Sequence, residues 1–578
     1  MGLGLATGGN GFWLTVATSS AILYVLVAAY NVIFGYAGLF NLAHVAIYGV
    51  GAYASVLIEA EWGVSFWVSV PLAMVVALIA SLIVAVPTSR LGGAFFALGS
   101  LAFAVAATEV MVGWDSLTGG ANGYLGIAPL MVGDTALFAG ELPFYWLVAA
   151  VAVVCFEIFY RFGESRVARE LVAVRESVVA AQTVGIDPWR RRLLAFVVSG
   201  TFAGLAGALV AHQMMFISPE SFGLHVMINV LIVLLIGGAG TRLGPVLGVI
   251  ALVAIQETGE LVGEMSNLIF GIAIIAIFAF APRGLVGVGR SVVNTLPAES
   301  WVRRFNRRAV PFEVAALPEP AIGAAPRHLE VVDVGLAFAG VKALQGVGLS
   351  VRSGEVVGLI GPNGAGKTSV VNVISGLVHP QSGSVHLDGD ELLGLSPHAI
   401  ARRGVVRTFQ SAQMIGEFDL VTNVMLGRGQ AARSTLVEQM LDLPRSRRDD
   451  DEAYHHALGL LELVGVREHA HDTAADLPYG VVRRAEIARA LASDPAFLLL
   501  DEPGAGLSNY ERDEIAEAIR AAVGRGVGCL LIDHNVQFVS SLCANLVVFA
   551  SGRVIAEGPS EAVLSDAAVI ESYLGGTR

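Results

Sequence analysis

The run Gly361-Pro362-Asn363-Gly364-Ala365-Gly366-Lys367-Thr368 constrains this chain more than any other stretch. It follows an apolar, strand-like segment, Val356 to Ile360, and opens into a helix-like segment from Ser369. The pattern is G-x-x-x-x-G-K-[ST] in the strand-to-helix setting that it requires. Its glycines let the backbone curl so that successive N–H groups point at phosphate oxygens. Lys367 reaches the terminal phosphates, and the Thr368 hydroxyl can hold Mg²⁺. A glycine-rich turn around a buried lysine could be structural only, but all eight positions match. The ligand to expect is ATP with Mg²⁺.

Composition then separates two halves. A chain of 578 residues predicts several domains. Only 15% of it is charged, against about 25% in an ordinary soluble chain. Part of it is therefore expected in membrane lipid. The net charge of −13 argues against nucleic acid as a partner, because a phosphate backbone wants a basic face. Cys155, Cys529 and Cys543 are scattered in apolar surroundings and form neither a metal-ligand spacing nor a disulfide framework.

Apolar runs of about 20 residues, the length that crosses a bilayer, recur up to residue 290. Nine spans are expected, near 11–33, 40–59, 64–87, 92–113, 143–160, 193–213, 224–241, 244–259 and 266–282. The first follows no basic n-region and precedes no small-residue cleavage site, so it reads as a retained span. The loop 161–192 carries Arg161, Arg166, Arg169, Arg175, Arg190, Arg191 and Arg192, which places it in the cytoplasm. Counting back puts 114–142 and the N-terminus outside. The Gly-rich stretches Gly35–His44 and Gly237–Gly248 read as broken or re-entrant.

Polar groups at membrane depth are costly and usually face protein or a pathway. Asn31, Asn41, His44, Glu109 and Glu157 are such groups. Asn31, Asn41 and His44, with Asn122 in the external turn Gly119-Gly120-Ala121-Asn122-Gly123, are the substrate-path candidates. The plainer reading makes the buried ones interhelical hydrogen bonds, the turn a loop, and Glu157 a span end. Residues 291–327 form a linker with Pro297, Pro311, Pro318, Pro320 and Pro326 and a basic patch, Arg303-Arg304-Phe305-Asn306-Arg307-Arg308, suited to anionic headgroups.

From residue 328 alternating patterns predict strands. Phe497 to Leu500 is an apolar strand ending in Asp501 and Glu502. Charges there are expensive as core filler. Asp501 can take Mg²⁺ through water, and Glu502 can polarise an attacking water. A second strand, Cys529 to Ile532, runs into Asp533 and His534, and His534 can reach a γ-phosphate. Gln410, closing Arg407-Thr408-Phe409-Gln410, can reach Mg²⁺ or water. Residues 411–476 read as helical, with a solvated face at Arg445 to Glu452. Leu477-Pro478-Tyr479-Gly480-Val481 is a turn opening a helix, whose positive end suits a second phosphate group.

These blocks resemble a known family. Asn31–His44, Leu117–Gly123, Leu194–Ala208, Ser218–Phe222, Gly237–Gly248 and Pro282–Leu285 are similar, in order, to the membrane subunit of branched-chain amino-acid ABC importers. The C-terminal half resembles the ATP-binding subunit of ABC transporters. Phe338 matches the aromatic that stacks on adenine, 361–368 the phosphate loop and Gln410 the Q-loop. Residues 477–481 match the signature, 497–502 the Walker B strand and His534 the switch histidine. The tail Glu557-Gly558-Pro559 and Tyr573-Leu574-Gly575 looks like the branched-chain branch. The resemblance implies that the loop with Glu176, Ala180, Ala181 and Gly185 carries the coupling helix. An ordinary cytoplasmic helix is the alternative.

Some positions depart from the pattern. The general signature is Leu-Ser-Gly-Gly-Gln. Here Pro478 replaces the Ser, Tyr479 a Gly and Val481 the Gln, and Leu507-Ser508 stands where Leu-Asp or Leu-Asn is usual. Because the signature serves the partner's ATP, the opposite composite site is the one put in doubt.

The implied fold is multidomain: a polytopic α-helical membrane domain, 1–290, joined to an α/β P-loop ABC ATPase domain with a helical subdomain, 328–578. The implied function is ATP-driven import of branched-chain or related small apolar amino acids across the cytoplasmic membrane. The implied partners are a second permease subunit, a second ABC ATPase subunit (itself fused or separate) and an extracytoplasmic solute-binding protein. Urea, short amides or aromatic acids as cargo, a membrane-anchored regulatory ATPase, and an exporter are the rival readings.

Overall fold

Apolar segments with no water to satisfy their peptide groups must close their hydrogen bonds internally, and helices do this. The computed structural model describes residues 11–127, 141–260, 271, 275, 279, 281, 284–295, 327–338 and 340–574. Two compact units result. One comprises Met1–Arg175, Trp189–Val310 and Gln439–Leu441, the other Glu176–Pro188, Pro311–Glu438 and Asp442–Arg578.

In the first unit, six helices among the described residues are long and apolar enough to cross a membrane: Gly11–Tyr36, Phe66–Thr88, Gly93–Gly113, Glu141–Glu164, Pro188–Met214 and Pro219–Gly237. The expected span 40–59 falls in the helix His44–Trp62, which opens on His44 and closes on Glu59 and Glu61. The expected span 244–259 falls in the shorter helix Gly244–Glu260, and 266–282 lies largely outside the described residues. Small residues let helices approach closely. A side chain at Gly51 would overlap the backbone of Gly204. Strands β1 (Tyr124–Leu125) and β2 (Phe216–Ile217) pair antiparallel and join the Gly119–Gly123 turn to the Ser218–Phe222 turn. There Phe222 packs edge-on against Tyr48 and Tyr53.

Both Gly-rich stretches are breaks between helices, partly buried, with Gly38, Phe40, Arg242 and Leu243 exposed. The helix Gly11–Asn31 passes into a π-helical turn, Val32–Tyr36, and then into loop. Asn31 bridges the two breaks. Its Nδ2 donates to the Thr241 carbonyl at 2.9 Å, and its Oδ1 accepts from the Gly240 N–H at 2.8 Å. Arg175 adds a bond to the Gly35 carbonyl at 2.7 Å.

The second unit holds two sheets. Its strands are β3 (His328–Phe338), β4 (Val341–Arg352), β5 (Val356–Ile360), β6 (Ser382–Leu387), β7 (Asp390–Glu391), β8 (Val405–Arg407), β9 (Phe497–Asp501), β10 (Gly528–Ile532), β11 (Asn545–Ala550) and β12 (Arg553–Pro559). The six-stranded sheet runs β12-β11-β5-β10-β9-β8, parallel except at β12, and the antiparallel sheet runs β4-β3-β6-β7. All five residues of each of β5, β9 and β10 are buried, as expected for parallel strands covered on both faces. The helices Leu420–Met425, Pro444–Leu463 and Tyr479–Leu491 form a helical subdomain, inserted in the chain between β8 and β9. Cys155, Cys529 and Cys543 are buried free thiols. Burial pushes the Cys529 and Cys543 thiols up to about 12, so they are packing groups rather than nucleophiles.

Candidate nucleotide site

In a parallel sheet, ligands gather beyond the carboxyl ends of the strands. Four adjacent strands, β5, β10, β9 and β8, deliver their following residues to one such edge. Those residues are the phosphate loop, Asp533-His534, Asp501-Glu502 and Arg407 to Gln410. The register sets them level, with Ile532 opposite both Asp501 and Leu359.

After β5 the chain curls through Gly361 to Gly366 and enters the helix Lys367–Ile374. Gly366, at φ +106°, caps this helix in a conformation that side chains avoid. The loop N–H groups and the helix N-terminus make a cradle for anions. Lys367 folds back over the loop, its Nζ 2.7 Å from the Gly361 carbonyl and 3.0 Å from that of Pro362. Burial lowers its pKa below the ordinary lysine value, against the opposing pull of Glu502 and Asp501. Asn363, Gly364 and Thr368 are exposed, Ala365 is buried, and Ser369 is half-buried on the first turn. Phe338 ends β3 with its ring half exposed, a surface suited to stacking a base.

The structure brings Glu502, His534 and Gln410 together. Gln410 Nε2 is 2.7 Å from Glu502 Oε2, and His534 Nε2 is 2.8 Å from Glu502 Oε1. Glu502 itself sits at φ +48°, where a non-glycine residue is held only by its surroundings. Its N–H bonds the Ile532 carbonyl at 2.7 Å, which anchors the turn to β10. Both carboxylate oxygens thus have donors, and an attacking water must replace one of them.

Asp501 is differently placed. Its Oδ2 pairs with Arg407 Nη2 at 2.8 Å, both side chains buried. Arg407 also reaches Asn372 Oδ1 at 2.5 Å. The Thr368 hydroxyl, a Gln410 amide oxygen and the Asp501 oxygen away from Arg407 are hard oxygen donors, the kind Mg²⁺ prefers. The donor set therefore fits that ion.

The signature residues open the helix Tyr479–Leu491. Leu477 is half-buried, Pro478 and Tyr479 are exposed, and the Tyr479 hydroxyl is 3.4 Å from the Gln410 carbonyl. Gly480 and Val481 are buried, and Val481 belongs to the core of its own subunit.

Of the residues expected on the coupling helix, Glu176 ends the helix Arg166–Glu176, and Ala180 and Ala181 are buried on the helix Val178–Thr183, capped by the Ser177 side chain. This stretch belongs to the second unit. Within that unit Gln430 Nε2 bonds the Val184 carbonyl at 3.0 Å, and Arg402 Nε bonds the Gly185 carbonyl at 3.0 Å. His398 lies 3.6 Å from Asp187.

The buried substrate-path candidates, Asn31, Asn41 and His44, are each hydrogen-bonded within the protein. Asn31 is engaged with Gly240 and Thr241. Asn41 Oδ1 accepts from the Ala43 N–H at 3.1 Å. His44 is fully buried, its Nε2 3.1 Å from the Leu26 carbonyl and its Nδ1 3.2 Å from Ser199 Oγ. Asn122 is exposed in its turn. Glu157 is exposed and pairs with Arg161 at 2.6 Å.

Sequence reasoning missed several side chains. Asp533 accepts from the Gly504 N–H at 3.0 Å and the Asn535 N–H at 2.9 Å, so it holds the turns after β9 and β10 together. Arg483, Glu486 and Arg489 are buried on the signature helix. Three charges at i, i+3 and i+6 on an otherwise apolar helical face were the available signal.

A strand–loop–helix phosphate cradle beside a carboxylate, a glutamine and a histidine defines the class: an ABC-type ATPase, here joined in one chain to an apolar helical permease. The description "ABC transporter" matches residues 344–505. "Branched-chain amino acid transport system / permease component" matches residues 12–278, and "Branched-chain amino acid ATP-binding cassette transporter" matches 553–577. The chain is 39% identical over 248 residues to the high-affinity branched-chain amino acid transport ATP-binding protein BraF of Pseudomonas aeruginosa, covering 43% of this chain and 97% of that one. The corresponding protein LivG of Escherichia coli is 38% identical over 248 residues, with the same coverage. A crystal structure of an ATP-binding cassette of an ABC transporter in its ADP conformation is 29% identical, with a TM-score of 0.38, covering 43% of this chain and 99% of that one. The chain belongs to the branched-chain amino acid ABC transporter family, with permease and ATPase in a single polypeptide.

Proposed function

We propose that this chain is the fused permease and ATPase of an importer that uses ATP to bring leucine, isoleucine, valine or a related small apolar amino acid across the cytoplasmic membrane. The observation that carries the reading is the co-occurrence in one chain of the permease match, 12–278, and the ATPase and C-terminal matches, 344–505 and 553–577. Residues 1–290 form the multi-pass permease, 291–327 the linker and 328–578 the cytoplasmic ATPase. A second permease subunit, a second ATPase and an extracytoplasmic solute-binding protein complete the assembly.

Phe338 stacks on adenine. The N–H groups of 363–369 cradle the phosphates, and Lys367 turns from the Gly361 and Pro362 carbonyls to the terminal phosphates. Thr368, Gln410 and Asp501 would hold Mg²⁺, which would offset charge on the phosphate oxygens. Glu502 accepts the proton of the attacking water and His534 orients that water. The resting bonds of Glu502 to Gln410 and His534 support this assignment, because the three groups already converge on one point. In a head-to-tail dimer Leu477 to Val481 faces the partner's ATP, and the segment with Glu176, Ala180, Ala181 and Gly185 carries the closure to the permease.

The test is uptake of labelled leucine, with labelled urea as the competing cargo, by membrane vesicles containing the chain and its co-expressed partners. Leucine uptake that requires ATP and is lost in Glu502→Gln is the expected result. Urea uptake without leucine uptake overturns the cargo. Loss of hydrolysis with uptake intact overturns the transport role of the ATPase.

A further inference from the structure

The helix Tyr479–Leu491 carries a buried arginine, Arg483, that reaches the backbone of Phe409, Gln410, Asp501 and Glu502. Arg483 is 1% exposed, and its buried charge is offset through its two Nη groups, both of which are hydrogen-bonded, while Nε has no partner among the described residues. Nη1 bonds the Phe409 carbonyl and, at 2.6 Å, Glu486 Oε2. Nη2 lies 2.9 Å from the Gln410 carbonyl, 3.1 Å from that of Asp501 and 3.0 Å from that of Glu502. One planar fork therefore grips the backbone of both residues that meet in the Gln410–Glu502 hydrogen bond. Glu486 and Arg489 extend the grip. Glu486 Oε1 accepts from the Gln413 N–H at 3.2 Å, and Arg489 Nη1 bonds the Gln413 carbonyl at 2.6 Å.

We propose that Arg483 is a positioning residue for hydrolysis: it ties the signature helix to the backbone of Gln410 and Glu502 and so holds the Glu502 carboxylate where it meets water. The inference rests on the reading of Glu502 as the base. Glu502 needs such a tie because its backbone, at φ +48°, does not hold itself there. Arginine suits the task because its rigid fork spans several carbonyls at once, whereas a lysine ammonium is a single compact donor on a flexible stem.

The experiment uses the full chain in detergent with the subunits that copurify. It compares Arg483→Lys, Arg483→Met, Glu502→Gln and the double variant Arg483→Lys/Glu502→Gln. Steady-state phosphate release gives kcat and KM, single turnovers give the slow variants, and trinitrophenyl-ATP reports nucleotide binding. A displacement of about 1 Å at a reacting group costs about 100-fold. Arg483→Met is expected to lose about 100-fold in kcat and Arg483→Lys about 10-fold, with KM and analogue affinity within about twofold, since no phosphate contact changes. Because the effect runs through the Glu502 carboxylate, Arg483→Lys should add less than about twofold in the Glu502→Gln background. Should Arg483→Met fail to fold, Arg483→Lys decides. Wild-type kcat in Arg483→Lys overturns the proposal. So does a loss shared equally by nucleotide affinity, or one that multiplies with Glu502→Gln. Wild-type kcat in Glu502→Gln alone overturns the base assignment instead.

Discussion

Replacing Gly185 by alanine is expected to separate ATP hydrolysis from transport. Gly185 sits at φ +85°, where a residue with a Cβ costs about 1–2 kcal/mol. That Cβ would also come within 2.5 Å of Gln430 Cδ and 3.2 Å of its Cγ, and overlap its amide nitrogen. Gln430 must then swing away and give up its bond to the Val184 carbonyl, a further loss of about 0.5–1.5 kcal/mol. The sum, about 1.5–3.5 kcal/mol, weakens the docking of this segment by about 10- to 300-fold. No phosphate-binding residue is touched. Uptake of labelled leucine per ATP hydrolysed, in vesicles with co-expressed partners, is expected to fall at least about 10-fold, with hydrolysis within about twofold of wild type. The double variant Gly185→Ala/Gln430→Ala should be no worse than Gly185→Ala alone, because the Gln430 bond is lost once in either case. An unchanged ratio of uptake to hydrolysis in Gly185→Ala refutes the coupling role. Additive losses refute the steric account.

Glu502→Gln is expected to lower kcat by about 10²–10⁴-fold, the usual worth of a general base, while nucleotide affinity stays near wild type; a parallel loss of both would mean a binding role. Arg407→Met strands the buried Asp501 carboxylate, a penalty of about 3–5 kcal/mol, so the ATPase unit is expected to unfold at clearly lower temperature in a fluorescence melt of the full chain; an unchanged melt contradicts the pairing. Asn31→Leu leaves the Gly240 N–H and the Thr241 carbonyl without their partner, at about 1–3 kcal/mol each, and should lower the melting temperature of the permease unit and abolish uptake; normal uptake with a normal melt denies the bridging role. A gentle-detergent pull-down with native mass determination is expected to find a second permease, a second ATPase and a binding protein; two copies of this chain alone would refute the heteromeric assembly.

Much of the ATPase was legible because its chemistry is local in sequence. Residues 361–369 need only their own backbone, and the strands before them and before Asp501 and His534 are short apolar runs between turn signals. The membrane half was legible as apolar runs, but the number of crossings was not. The helix His44–Trp62 mixes a buried histidine and two glutamates into an apolar segment, and length and apolarity alone do not decide such a case. Asn31, Asn41 and His44 were recognised as costly polar groups, yet the partners of Asn31 and His44, at Gly240, Thr241, Leu26 and Ser199, lie on other elements, and only Asn41 finds its partner locally, at Ala43.

The sequence by itself determined which groups could bind phosphate, accept a proton and cross lipid, because those properties belong to residue types and their immediate spacing. Only the tertiary structure decided which groups meet. The parallel order β5-β10-β9-β8 sets distant segments at one sheet edge, which joins Gln410 to Glu502 across 92 residues and His534 to Glu502 across 32, and turns Arg407 to Asp501 across 94. It also decided that Arg483, one arginine of a pair on its helix, meets the backbone of Asp501 and Glu502. A side chain's partners depend on the packing of whole elements, and no local pattern of residues encodes that.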